Sequence, residues 1–500
     1  MREKIRLNHI ILLILFLFVF GFRLYYTFQY DNFNTDEAYF HLRRIDYFLE
    51  NQKLLYFDEL SYGGRLIFYP PLFHIIMALI SFGSIFILKL IPELLFSSLV
   101  FIIYKIAKEI SGSEYSAIFA AAISSFIPIL FTETLNNLSV YSFVIPLLFL
   151  MFYSLLNLEN KKYFWCFIIS SFLLPLIHPS AWIFIITIII YFFLMAGGAL
   201  NPTKIKKEAV IFSVLLIILL EFIIYKKAFL AYGANILREN IPSNILADSF
   251  RQFSPVDLLF NIGLVPLVFG SIGIYVALIR DKRKIAYIFG AFAIAVLLLL
   301  VLRLITISIG LMFLGLALSI FTASSITILY NYFTKFKFNY FKHFFVIILL
   351  VLFFSLSFSS SITAAKNSAK IDSIKIDEIK WLVHNTKNDA VVLANFDEGN
   401  LIGSIANRKT VADSNFLFAP NPIERTKDIE IIYTTVSDAI ALNLLHKYNV
   451  SVIYFSDDTR RAYGIYELAY AERSFDKNQL IEGSKCFDSS KRGTYYVLKC

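Results

Sequence analysis

For its first 360 residues the chain alternates between apolar runs of membrane-crossing length and short polar connections. A helix needs about 20 apolar residues to cross the hydrocarbon core of a bilayer. By that measure the sequence predicts spans near 9–27, 92–110, 114–131, 139–157, 163–177, 180–197, 208–225, 257–279, 285–302, 304–328 and 343–360. The stretch 72–90 (LFHIIMALISFGSIFILKL) is also apolar and fits either a further span or a helix lying in the interface. Two longer polar regions interrupt the pattern, at 28–71 and 226–256, and from 361 the period changes. There DEIKWLVHNT reads as a helix before a strand, AVVLANF; SDAIALNLLHKYN carries apolar residues at helical spacing; SVIYFSDD is a β-rich run. Residues 361–500 therefore read as a small α/β domain of about 140 residues, within ordinary domain size.

Charge orients the spans. The net charge is +9, and the chain is 58% hydrophobic with 53 Phe, so its cations are better explained by the positive-inside rule than by nucleic acid. Arg2, Lys4 and Arg6 place the N-terminus inside. If 72–90 does not span, the inner connections carry Lys105/Lys108, Lys161/Lys162, Lys204/Lys206/Lys207, Arg280/Lys282/Arg283/Lys284 and Lys335/Lys337/Lys342, while 132–138 and 177–180 carry no Lys or Arg. If it does span, every later loop inverts and the rule fails. The expectation is a polytopic α-helical membrane protein of about eleven spans, or thirteen if one run is a hairpin, with an extracytoplasmic C-terminal α/β domain. The basic, apolar N-terminus has no small-residue cleavage site and reads as a retained span. Cys166 sits in an apolar run; Cys486 and Cys500 flank a hairpin and could pair outside the cell.

Candidate chemistry lies in the outer polar regions. Asp36-Glu37 begins a helical stretch soon after the first span. Thr35 can cap that helix, and acids in a first turn are ordinary there, so capping competes with a catalytic or metal-binding carboxylate. Arg43 and Arg44 can bind phosphate or sit in the headgroup layer. Asp58, Gly63, Gly64 and Arg65 form a turn-rich segment, and Tyr69-Pro70-Pro71 returns the chain to the membrane. Glu133 is the acid of one outer connection, and His178 sits at another, where a structural role is the ordinary one. Arg303 is the lone cation between two apolar spans and can hold a lipid phosphate or snorkel to the interface. In the last domain, Asn395-Phe396-Asp397-Glu398-Gly399 and SIANRKTVADSN (404–415) read as a strand-to-helix loop facing a ligand.

This last stretch resembles the catalytic subunits of oligosaccharyltransferases, including the single-subunit archaeal and bacterial enzymes, whose WWDYG motif precedes an IANRxTxAD-like segment. NFDEG stands in the motif's place, and SIANRKTVADSN follows at the same spacing. The resemblance implies a C-type glycosyltransferase fold. It implies a polyprenyl-phosphate- or diphosphate-linked glycan as donor, and a protein or glycan as acceptor at the outer face of the cell membrane. It implies Asp36 as the first-loop acid that ligates metal and activates the acceptor, and Arg303 as a contact for the donor's phosphates. Asp397, with Glu398, Gly399 and His178, would bind substrate.

The departures weaken the metal. Where the family carries a DxD-like pair, this chain has Asn137-Leu138-Ser139, with Glu133 upstream; where a glutamate is expected, FRQFSP offers Gln252, with Asp248 and Asp257 nearby. Paired tryptophans are replaced by Asn395-Phe396. A divalent ion wants several hard oxygen ligands. Two mechanisms remain open: a Mn2+ or Mg2+ ion held by Asp36 and Glu133, or a metal-independent reaction with Asp36 as general base toward a hydroxyl and a lipid-monophosphate sugar as donor. A non-catalytic glycan- or lipid-binding homologue is the alternative of another class.

Overall fold

The computed structural model describes residues 2–197, 203–233, 241–335, 340–368, 371–471, 474–476, 479–481, 486–490 and 493–500. Lys337 and the 234–240 part of the polar region 226–256 lie outside the described residues, as do the side chains of Arg2, Lys4, Arg6, Asp248 and Lys342. The chain forms two compact units. One comprises Met1–Asp31, Pro70–Ile224 and Ala247–Lys370; the other comprises Asn32–Tyr69, Tyr225–Leu246 and Ile371–Cys500.

The first unit is helical. Five described helices are long and apolar enough to cross a membrane: Leu7–Thr27, Ile85–Ser111, Lys204–Tyr232, Ile307–Phe333 and Phe344–Lys366. Two bent pairs bring the number to seven if each is one span: Glu114–Ser125 with Pro128–Thr134 (46°), and Pro255–Ile262 with Leu264–Arg280 (106°). The remaining spans expected from sequence fall on helices of 16 or 17 residues, Tyr141–Leu156, Lys161–Ile177, Ala181–Gly197 and Ala286–Val301. At about 1.5 Å per residue these reach about 25 Å, short of a typical hydrocarbon core.

Besides the 46° bend within 114–131, two stretches differ from the expectation. The run 257–279 is not one straight helix: it breaks at Gly263, whose φ of +92° is a conformation glycine enters at little cost. Nor is 72–90 one element. A helix over Leu72–Ser81, about 15 Å long, stops at Phe82 and Gly83, both at positive φ, and a new helix starts at Ile85. The second half of that run thus belongs to the long helix that follows.

Helix Ile307–Phe333 is the buried axis of this unit, with every residue from Gly310 to Ile326 buried. Helix Leu264–Tyr275 packs on it so closely that a Cβ on Gly273 would lie 1.9 Å from the Phe321 carbonyl oxygen. Small residues permit such backbone approach where hydrophobic driving force between helices is absent. An ion pair that gave no signal in the sequence ties other helices together. Arg23 is fully buried; its Nε donates to Glu93, a second guanidinium nitrogen donates to Thr134 Oγ1 (2.8 Å), and the Phe96 ring lies 4.3 Å away.

The second unit is α/β. The early segment supplies a helix, Asp36–Asn51, and a small antiparallel hairpin of β1 (Phe57–Asp58) and β2 (Arg65–Leu66). The late segment supplies β3 (Val391–Leu393), β4 (Lys409–Thr410), β5 (Val450–Tyr454), β6 (Ser474–Asp476), β7 (Gln479–Ile481), β8 (Phe487–Ser490) and β9 (Tyr495–Leu498). Five of them form one sheet in the order β4-β3-β5-β9-β8, parallel at β4-β3-β5 and antiparallel beyond, while β6 and β7 pair apart. Part of the polar turn NRKTVAD is therefore an edge strand. Helices Pro422–Thr434 and Asp438–Lys447 bury Ile429, Ile432, Tyr433 and Leu445 against Leu393, Ile453 and Phe455. Tyr62, from the early segment, joins this core. Cys486 and Cys500 form a disulfide across the ends of β8 and β9, and Cys166 is free.

Gly273→Ala is expected to lower the thermal unfolding temperature of the detergent-purified chain, because a methyl group there meets backbone, which cannot rotate away. The penalty should reach or exceed the ~1–3 kcal/mol typical of overpacking, and a thermal melt against wild type checks it.

Candidate active site

Asp36 opens helix Asp36–Asn51. The expected Thr35 cap is absent: Thr35 has the extended backbone of a cap residue, but its side chain accepts no bond from the helix. Asp36 itself turns to the late segment. Its Oδ1 accepts from the Leu401 backbone N–H, and its Oδ2 accepts from Asn400 Nδ2 and Ser414 Oγ, each at 2.8 Å. Leu401 lies in the first turn of helix Gly399–Ile405, where unpaired N–H groups and the helix dipole favour a carboxyl oxygen. Asn400 is oriented in turn by Asn415 Oδ1 (3.0 Å). Burial pushes the Asp36 carboxyl up to about 8, against the lowering effect of its three donors and with a further push from Asp413.

The mount around this carboxyl is polar. Arg65 pairs with Asp413 (3.2 Å), Ser61 donates to the same carboxylate, and Tyr62 OH donates to the Asp413 carbonyl (2.8 Å). Thr410 donates through both its N–H (2.8 Å) and its hydroxyl (3.1 Å) to the Leu60 carbonyl. The pieces 60–65 and 410–415 therefore fold as one body.

The motif residues NFDEG divide by what they touch. Asn395 accepts from the Phe396 N–H (2.9 Å), and Phe396 packs on the core. Glu398 is fully buried: Lys375 Nζ lies 2.7 Å from Oε1, Ser456 donates to Oε1 (2.6 Å) and Thr459 to Oε2 (3.3 Å). Gly399 lies against the chain at 412–413, where a Cβ would sit 2.3 Å from the Ala412 carbonyl oxygen. Asp397 alone of the three candidate binders here is exposed. Arg408, in the NRKTVAD segment, is buried and donates to the carbonyls of Val383, Thr386, Ala406 and Asn407 and to Thr386 Oγ1. It closes the C-terminal ends of helices Ser373–Asn385 and Gly399–Ile405, a favourable place for a cation.

Arg303, His178 and Glu133 belong to the helical unit. Arg303 occupies the turn between Ala286–Val301 and Ile307–Phe333 at φ +54°, exposed, with no side-chain partner among the described residues. His178 follows helix Lys161–Ile177. Its Nδ1 accepts from the Ser180 N–H (3.1 Å) and lies 2.7 Å from Ser180 Oγ, which assigns the ring proton of the neutral form to Nε2; its ring meets Tyr141 edge-on. Glu133 is half-buried in Pro128–Thr134. Gln252 is exposed, and Asp257 is spent on Arg251 (2.6 and 2.9 Å) and on a capping box with Ser254.

Among the described residues no three His, Cys, Asp or Glu side chains gather as a cation site. Around Asp36 the donor set is also wrong for one. An amide NH2, a backbone N–H and a hydroxyl point at its oxygens, which satisfies a carboxyl, and the neighbouring Asp413 carboxylate is engaged by Arg65 and Ser61, whereas a hard cation wants several free oxygen ligands. Sequence reasoning singled out Asp36 and the stretch that carries Asn400, Leu401 and Ser414, but not those three as its partners. A backbone N–H leaves no mark in a sequence, and Asn and Ser are common in any loop.

No family model matches the sequence, and no curated protein matches it. Solved structures do match in fold. The Archaeoglobus fulgidus oligosaccharyltransferase in its apo form aligns over 98% of this chain and 74% of its own length, with a TM-score of 0.70 at 13% identity. The archaeal oligosaccharyltransferase AglB of the same organism, in complex with an inhibitory peptide and a dolichol-phosphate, covers 99% and 74% with a TM-score of 0.70 at 14% identity. The Archaeoglobus fulgidus oligosaccharyltransferase complex with Zn and sulfate covers 98% and 73% with a TM-score of 0.66 at 14% identity. The fold expected from 396–415 is thus the fold of the chain, which diverges widely from these proteins in sequence.

Two outcomes follow from this geometry. The folded chain keeps a proton on Asp36 that the unfolded chain releases near its ordinary value of 3.8, so stability falls as pH rises from about 4 to about 8. The slope is at most about 1.4 kcal/mol per pH unit, and Asp36→Asn flattens it in thermal melts across that range. Lys375→Met strands the buried Glu398 carboxylate and costs about 3–5 kcal/mol, whereas Lys375→Met with Glu398→Leu recovers most of the loss in the same melts.

Proposed function

We infer that this chain, folded as the archaeal oligosaccharyltransferases are, is an integral-membrane glycosyltransferase that moves a sugar or oligosaccharide from a polyprenyl-phosphate or polyprenyl-diphosphate carrier to an acceptor at the outer membrane face. The observation that carries the reading is the fold likeness over nearly the whole chain. The partners follow from it: AglB is described with a dolichol-phosphate and an inhibitory peptide, and a lipid-linked donor and a peptide or glycan acceptor are the corresponding partners here. The N-terminus lies inside and the C-terminal α/β domain outside, in keeping with the distribution of Lys and Arg.

In this reading Asp36 is the general base. Its raised pKa gives the carboxylate more basicity than an ordinary aspartate. Ser414 Oγ, 2.8 Å from Oδ2, holds the position an acceptor hydroxyl would take, so the acceptor displaces that hydroxyl. The acceptor oxygen then attacks the anomeric carbon as its proton passes to Asp36. The carbon–oxygen bond to the phosphate breaks, and the carrier phosphate leaves with the electron pair. Arg303, an exposed guanidinium between apolar helices with no partner among the described residues, is the contact for the donor's phosphate, and Asp397 is the exposed group for the acceptor. The donors around Asp36 favour this route over one through a cation bound to Asp36 and Glu133.

The saturation of Asp36 by three donors also favours a second reading, a relative that binds lipid-linked glycan without transferring it. Membranes carrying the wild-type chain, given polyprenyl-linked glycan and peptide or glycan acceptors, should show transfer that falls about 10²-fold or more in Asp36→Asn. Arg303→Met should raise the KM for donor. Equal transfer by Asp36→Asn removes the base, loss on chelation with rescue by Mn2+ restores the metal route, and donor binding without transfer to any acceptor selects the second reading.

A further inference from the structure

The early segment of the α/β unit contains a charge imbalance that its fold does not use. Arg43 donates to Asp58, and Arg65 pairs with Asp413. Arg44, within electrostatic reach of Asp58, Arg43 and Arg65, pairs with no acid among the described residues, although it is 95% buried. One of its nitrogens bonds the Phe40 carbonyl of its own helix (3.2 Å), and its guanidinium lies 3.3 Å from the centre of the Phe40 ring. Stacking of that kind offsets ~2 kcal/mol when desolvated, less than the several kcal/mol that burying a cation costs.

Three N–H donors in this cluster are buried and lack a partner among the described residues: Arg43 Nε, one terminal nitrogen of Arg44, and Arg65 Nε. Buried donors left unmade are costly, and charged ones more so. Burial pulls the Arg44 guanidinium down to about 9; Asp58 opposes this, and Arg43 and Arg65 push the same way. Waters could take the hydrogen bonds but would leave the charge.

The geometry points to a binding site for a phosphate-type oxyanion, held by Arg44 together with the orphan donors of Arg43 and Arg65. A phosphate monoester brings negative charge and at least three acceptor oxygens, matching three donors, whereas a carboxylate brings two oxygens. Guanidinium groups suit that ligand because each N–H of the rigid planar fork makes a strong, charge-assisted bond to a phosphate oxygen. The site does not depend on glycosyl transfer and is tested without it.

The full-length chain in detergent should melt at a higher temperature in sodium phosphate than in sodium chloride of equal ionic strength, and titration calorimetry should show saturable phosphate binding. Arg44→Met should lower that affinity by about tenfold or more, equivalent to about 1.4 kcal/mol, while melting no lower than wild type without ligand. Arg44→Lys keeps the charge without the fork and should also weaken binding, which carries the test if Arg44→Met does not fold. Stabilisation by inorganic phosphate identifies a free-phosphate site. Stabilisation only by a short-chain prenyl phosphate identifies a lipid headgroup. Equal melting in phosphate, prenyl phosphate and chloride, or unchanged affinity in both variants, overturns the site.

Discussion

The half-buried carboxyl of Asp36 is the constraint on which the α/β unit depends. A carboxyl largely withdrawn from water is neutralised, paired or saturated with donors. This one is met by a helix N-terminus, an amide and a hydroxyl, all supplied from 400–414. The first polar loop is thereby built into a domain that lies more than 300 positions later in the chain. The Arg65–Asp413 pair, Tyr62 in the core and the two Thr410 bonds to Leu60 repeat the same joining in other chemistries.

The apolar rhythm of the chain made the helical unit legible because membrane length is a strong, local signal. The helix–strand order of the last domain was legible for a similar reason: Ser373–Asn385, β3, Asp438–Lys447 and β5 all lie where periodicity puts them. What sequence could not give was tertiary. The break at Gly263 depends on a backbone angle. The split of 72–90 depends on Phe82, whose positive φ no composition rule foretells. Arg23 and Glu93 are 70 positions apart and become partners only once their helices are packed.

The candidate site was legible in part. Asp36 stood out through its place after the first span and through a family likeness, and the structure gives it partners of a kind that neither signal specified. Glu398 and Gly399 stood out by motif alone. One is half of a buried ion pair, and the other is the gap that lets a helix lie against the chain at 412–413.

Arg408 carries a consequence for how such chains are sorted. Its guanidinium spends its donors on four carbonyls and a hydroxyl, closing two helices at once. The segment by which the chain is most readily likened to a transferase family is thus largely carpentry, kept by whatever keeps the domain folded. A lineage could lose its chemistry and retain this signature intact. Catalogues assembled on that signature would group proteins by ancestry of scaffold, and dividing them by what they do requires looking outside it.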